Sequence, residues 1–361
     1  MLILLFLCFK YDKLLNMNSP ACDSAISEHG HDHRQGSRSS RYAQLLFVLL
    51  ALGLIIFFRD APQFNTLGII FVSIVLEALP FMLLGTLIGG FIEVFVPRET
   101  VTRWLPEGRW WTVFIGAGIG VMFPVCECAI VPVVRKLLQK GVPLSAAIAF
   151  LLGGPIVNPL VAASTAVAYF GDWSIVMQRM MFGYGIAVGI GLLMGLLFTK
   201  AKAVHNEVSS KPVRRDAPEI LGSGKPAAWT EKIGLAVNHA AGDFLDIGRF
   251  LVIGAFCAAV VQTLVPRQAF VAVMDTPGFS ILIMMLLAVL LNLCSEADAF
   301  VAASFRSSLV PLSGQMAFMV LGPMLDIKLI LMYLKVFKAP AIAVLASLTF
   351  ITVFLSMLTM Y

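Results

Sequence analysis

The sequence predicts an all-α polytopic membrane protein with about 8–9 membrane segments, arranged as two inverted repeats that contain broken or re-entrant helices. Three observations carry this expectation. Hydrophobic residues make up 59% of the chain and charged residues 13%, with a mean hydropathy of +0.90, whereas soluble domains average about 25% charged residues. Apolar stretches near spanning length, about 20 residues, recur near 43–58, 67–96, 112–134, 144–170, 176–199, 240–265, 279–303, 312–332 and 336–360. The two halves of the chain also align with each other. Glu77 to Glu99 lies over Asp246 to Gln268 with a shift of 169, pairing Phe81 with Phe250 and Gly85 with Gly254. A shift of 168 then pairs Cys126 with Cys294, Pro143 with Pro311, Gly154-Pro155 with Gly322-Pro323, and Asn158 with Asp326.

In chain order, residues 1–42 read as a disordered polar tail. It opens on an apolar run, Met1 to Phe9, too short to span and without a small-residue cleavage site, so Met17 is the expected start. Within the tail His29, His31 and His33 could share a transition-metal ion weakly, although a solvated tail explains them as well. Residues 43–199 form the first membrane repeat with a leading helix. Residues 200–232, rich in Lys, Arg, Pro, Gly and Ser, form a cytoplasmic linker, and 233–361 form the second repeat. The net charge of +5 reads as basic loops that set topology rather than as nucleic-acid binding. Six cysteines without framework spacing do not suggest a disulfide scaffold.

Orientation follows from parity. Basic residues belong on the cytoplasmic side, yet the basic loops 97–110 and 200–232 would face opposite sides if all nine segments crossed. Letting the broken segment 112–134 return to its own side brings 97–110, 135–140 and 200–232 together. The same rule assigns Lys328, Lys335 and Lys338 to the cytoplasm.

The chemistry-bearing stretch is Gly120 to Pro132, in which Cys126, Glu127 and Cys128 lie between Pro124 and Pro132. Each proline removes a backbone donor and disfavours helix in the preceding residue. Glu127 at membrane depth costs roughly 2.5–3.5 kcal/mol on insertion scales unless it meets a partner or water. In secondary transporters such breaks meet near the midplane, which would bring Cys126, Glu127 and Cys128 to Cys294, Glu296 and Asp298. Thiolates select soft ions and carboxylates can carry protons, whereas a lone membrane Cys is most often a packed hydrophobe. Glu77 and Asp246, matched in register, are proton-coupling candidates or interfacial side chains. Asn158 and Asp326 either cap the helices that resume after the Gly-Pro breaks or line the path. Arg249 and Arg306 are expected to neutralise Asp246 and Glu296 or Asp298. With no Walker-type phosphate loop in the chain, transport is secondary, passive, or driven by a separate ATPase.

The runs Phe123 to Pro132, Gly153 to Pro159 and Leu293 to Phe300 resemble the ArsP/YraQ family of predicted permeases, whose ArsP-type members export trivalent organoarsenicals such as methylarsenite. The likeness covers nearly all of 45–360. It implies a multi-pass inner-membrane (plasma-membrane) permease without cofactor or enzymatic activity, acting on a small molecule or ion. A homo-oligomer is compatible with it. The implied ligands transfer to Cys126, Cys128 and Cys294. Glu127 departs from the arsenical branch, where Ser separates the cysteines, and keeps open a divalent-metal (zinc-like) permease. A membrane thiol-redox protein is the reading from another class.

Overall fold

The computed structural model describes residues 63–97, 100, 110–122, 126–205, 229–264, 277–307 and 310–360. The His-rich tail and most of the 200–232 linker lie outside these residues. The chain divides into a unit ending at Val72 and a unit from Ser73 to Tyr361, and the packing below is that of the second. Thirteen α-helices are described: α1 (Gln63–Phe95), α2 (Trp111–Gly118), α3 (Glu127–Gln139), α4 (Leu144–Gly153), α5 (Pro159–Ala168), α6 (Trp173–Leu197), α7 (Lys200–Ala203), α8 (Trp229–Leu264), α9 (Pro277–Leu291), α10 (Ala297–Ser304), α11 (Leu312–Leu321), α12 (Ile327–Tyr333) and α13 (Ala339–Leu358). Helices α1, α6, α8 and α13 are long and apolar enough to cross a membrane. They leave Leu76, Met181, Leu196, Ile351 and Leu355 more than half exposed, as lipid-facing side chains are. The remaining apolar helices are short halves separated by breaks.

The breaks have local causes. Asn292 ends α9 at φ +51, a left-handed conformation that Asn tolerates and that stops a helix. Pro143 and Pro311 precede α4 and α11 in extended conformation. Asn158 and Asp326 cap α5 and α12, accepting hydrogen bonds from the amides of Leu160 (2.9 Å) and Leu329 (2.6 Å). Pro132 does not end its helix: α3 runs through it to Gln139. Helix α8 begins at Trp229, and an antiparallel bridge joins Val204, just past α7, to Phe337.

Helix directions follow from close contacts. Gly116 packs on Ala146 and Gly120 on Gly154, so α2 with its 3-10 extension (Ile119–Met122) runs parallel to α4. Lys140, just past α3, donates to the carbonyls of Glu93 and Val96 at the end of α1, each at 2.6 Å. Helix α4 starts beside that point, so α2 enters from the end at which α3 leaves. The segment 111–139 is therefore re-entrant. Gly90 meets Ala236 and Ala240 while Gly248 meets Met82, so α1 and α8 run antiparallel.

The same end collects most of the charge. Lys136 Nζ lies 2.6 Å from Glu93 and 2.7 Å from Asp243, Arg135 3.2 Å from Asp243, and Lys335 3.5 Å from Asp246. Lys200 donates to Leu138 O and Lys338 to Ala201 O. The basic residues at 135–140, 200, 335 and 338 thus share one end, whereas Lys328 does not.

Membrane helices gain little from the hydrophobic effect when they pair, so close backbone approach has to hold them. Gly85 lies against the backbone of Ala129, where a Cβ would overlap the carbonyl, whereas Gly189 has open space around it. Gly85→Ala is expected to lower thermal stability in detergent by about 1–3 kcal/mol, an overpacking cost, with Gly189→Ala unchanged or slightly stabilised. Equal melting of the two variants would refute the α1–α3 contact.

Candidate functional site

Two interruptions meet at the centre of the second unit: the one before α3 and the one between α9 and α10. Ile74, Glu77, Ala78 and Phe81 of α1, Cys126, Glu127 and Cys128, Asn292 and Cys294, and Lys328 of α12 line a partly open cavity of about 10 Å³. That is room for about one water molecule. Cys126 sits in extended conformation at the N-cap of α3, and Glu127 occupies the first helical position, where the helix dipole favours an anion. The Cys126 and Cys128 thiols lie against one another, and Cys294 lies within reach of Glu77. Both thiols of the pair are buried. Pro132 cannot supply the amide that would otherwise bond the Cys128 carbonyl.

The buried counter-charge was not expected. Lys328 is 3% exposed and reaches Glu127 Oε1 at 3.0 Å and Asp326 Oδ2 at 3.5 Å. Its own amide donates to Asn292 Oδ1 at 3.3 Å. Lys328 therefore belongs to the core of the site and not to a cytoplasmic loop, which corrects the assignment made from its charge alone. Glu127 Oε2 and Asn292 Nδ2 have no hydrogen-bond partner among the described residues.

Arg179 of α6 is the second cation that charge patterning missed. Fully buried, it donates to Thr165 Oγ1 (2.8 Å), Ser295 O (2.8 Å) and Met319 O (3.1 Å). It thereby satisfies a carbonyl freed by the second break, as lipid-depth backbone requires. Arg179 lies in the electrostatic field of Asp298 and Glu296. Arg306, expected to neutralise those acids, is exposed on the 3-10 turn after α10. Arg249 does pair with Asp246, at 3.1 Å.

The other predicted residues separate by environment. Asp298 is 1% exposed in the first turn of α10. Half-buried Glu296 accepts from Ser295 Oγ at 3.3 Å. Glu77 lines the cavity, while Asp246 sits in the ion network at the charged end, so residues matched in register have different surroundings. Asn158 and Asp326 both act as caps, and Asp326 also faces Lys328. Among the described residues no group of three or more His, Cys, Asp or Glu side chains is placed to hold a metal ion.

The ArsP_1 family, described as "predicted permease", matches residues 63–361, the part of the chain that holds both breaks and the cavity. The chain belongs to this family. Relatives include the UPF0718 protein YcgR of Bacillus subtilis, 41% identical over 276 residues, which are 76% of this chain and 90% of that one. A putative two-component membrane permease complex subunit of Streptococcus mutans is 38% identical over 277 residues, 74% of this chain and 86% of that one. The UPF0718 protein YraQ of Escherichia coli is 28% identical over 145 residues, 38% of each chain. No solved structure matches. With its apolar helices of spanning length, this ArsP_1 chain is a multi-pass membrane protein of a permease family.

Proposed function

We propose that the chain is a secondary permease exporting a neutral thiophilic solute, a trivalent arsenical of the methylarsenite type, through the Cys126–Cys128 site. The observation that carries this reading is the pairing of Glu127 with Lys328 beside two adjacent thiols. A carboxylate already neutralised by a buried lysine is a poor ligand for a divalent cation, whereas two adjacent thiols suit a solute that exchanges two hydroxyls for sulfur. The reading extends to the domain plan: two inverted repeats, 43–199 and 233–361, joined by a cytoplasmic linker at 200–232.

Support for the repeat comes from matched boundaries. Helices α4 and α11, and the starts of α5 and α12, lie 168 positions apart. The contact of Gly116 with Ala146 recurs between Met284 and Gly314, and that of Gly154 with Ile130 recurs between Gly322 and Asp298. The antiparallel course of α1 and α8 supports inversion. The name of the Streptococcus mutans relative extends the reading to an assembly with a further subunit.

A sensitive host expressing the protein should gain tolerance to methylarsenite above arsenite and antimonite, and none to zinc. Tolerance gained on zinc alone would replace this reading with the divalent-metal permease.

A further inference from the structure

The buried centre holds an unequal number of charges. Three carboxylates, Glu127 (1% exposed), Asp298 (1%) and Asp326 (0%), face two cations, Lys328 (3%) and Arg179 (0%). Lys328 serves Glu127 and Asp326, as its two ion pairs record. Arg179 spends its terminal nitrogens on Thr165 and on the carbonyls of Ser295 and Met319. Asp298 is left with the field of Arg179 but no ion pair, and its Oδ2 has no hydrogen-bond partner among the described residues. That oxygen is pressed against Gly322, where a Cβ would stand 2.6 Å from it.

The other half of the chain shows what this position looks like without a charge. Ile130 lies 168 residues before Asp298, and its Cδ1 would stand 2.6 Å from a Cβ on Gly154, itself 168 residues before Gly322. One half fills the notch with a methyl and the other with a carboxyl. An isoleucine fills the matched notch, so filling the notch does not itself call for a carboxyl. An unpaired carboxylate in such a place is costly. A proton removes the cost and needs no room, whereas a metal ion needs several converging ligands, and no such group is found among the described residues.

The geometry points to Asp298 as the proton-binding site of this permease, its carboxylate taking up one proton per transport cycle and releasing it as the same O–H bond breaks. The groups facing it from neighbouring elements are Arg179 of α6, Glu127 of α3, and Lys328 and Asp326 at the start of α12. Protonation brings these five fully buried groups from a net charge of −1 to zero; Glu296, only half-buried, lies outside that count. Asp246, which sits among Arg135, Arg249 and Lys335, is not in that balance, and Glu77, though it lines the cavity, is exposed.

The coupling part of this inference rests on the permease reading, and the site itself does not. For the site, infrared spectra of the purified full-length protein in lipid, labelled with carbon-13 at aspartate, should show a protonated-carboxyl carbonyl band near neutral pH. That band should be lost in Asp298→Asn and kept in Asp243→Asn. Absence of the band in the wild-type protein, or its persistence in Asp298→Asn, would overturn the site. If Asp298→Asn fails to fold, Asp298→Ile, which copies the equivalent position, serves in its place. For coupling, methylarsenite flux in proteoliposomes with the membrane potential clamped at zero should build about a tenfold concentration ratio per pH unit imposed, as one proton per molecule requires. Asp298→Asn should show no response to the gradient, and a response of wild-type size in that variant would overturn coupling through Asp298. A wild-type protein that moves methylarsenite with no response to pH would overturn coupling too. A wild-type protein that moves no methylarsenite would overturn the substrate reading and leave the spectroscopic result to decide the site.

Discussion

Lys328→Met is expected to destabilise the protein by about 3–5 kcal/mol, the usual cost of stripping one partner from a buried ion pair. The side chains of Lys328 and Glu127 are 4% and 1% exposed, so water does not soften the loss. Asp326 loses its cation as well. Most of the damage is the penalty of an unpaired carboxylate rather than the value of the pair. Glu127→Gln in the Lys328→Met background should therefore recover a large part of the stability, and the double-mutant cycle should give a coupling energy beyond additivity. Thermal unfolding in detergent, read on the purified protein, decides the matter. Additive losses, or a Lys328→Met protein as stable as the wild type, would mean that the pair does not form in the membrane.

The broken helices were legible because their causes are local: prolines at 143 and 311, Gly-Pro steps at 154 and 322, and the capping residues Asn158 and Asp326 all act within a few residues. Cys126 and Glu127 stood out because a carboxylate in an apolar run demands an explanation. Lys328 and Arg179 met the same criterion, since they fall within the apolar stretches 312–332 and 176–199. A lysine near a helix end is normally a topology marker, which is how Lys328 reads in the sequence, and Arg179 stands in no charged motif. Applying the membrane cost of charge to cations as strictly as to carboxylates would have found both. The proton candidates Glu77 and Asp246 came from register, and register relates sequence positions without relating their surroundings. Gly85 packs on α3 whereas its register mate Gly254 packs on Lys328 of α12. Some contacts thus recur at matched positions, as at Gly154 and Gly322, and others do not, and only the folded chain distinguishes them.

Loss of either thiol of the pair should be the most damaging functional change. A trivalent methylarsenical carries two exchangeable hydroxyls, and each exchange with a neutral thiol forms one As–S bond and releases one water, with no electron transferred and no net proton. Two thiols close the ligand set and one leaves it half open, so a single replacement forfeits capture rather than halving it. The thiols of Cys126 and Cys128 lie against each other at the cavity wall, whereas Cys257, half-buried on α8, is not among the residues lining that cavity. Cys126→Ser and Cys128→Ser are each expected to reduce methylarsenite tolerance to that of cells lacking the protein, while Cys257→Ser keeps wild-type tolerance. Serine is close in volume and neutral, so membrane levels on an immunoblot should match across all three variants. Tolerance that survives the Cys126→Ser, Cys128→Ser double replacement at equal protein level would remove thiol exchange from the mechanism and leave the cavity to act through its charged groups.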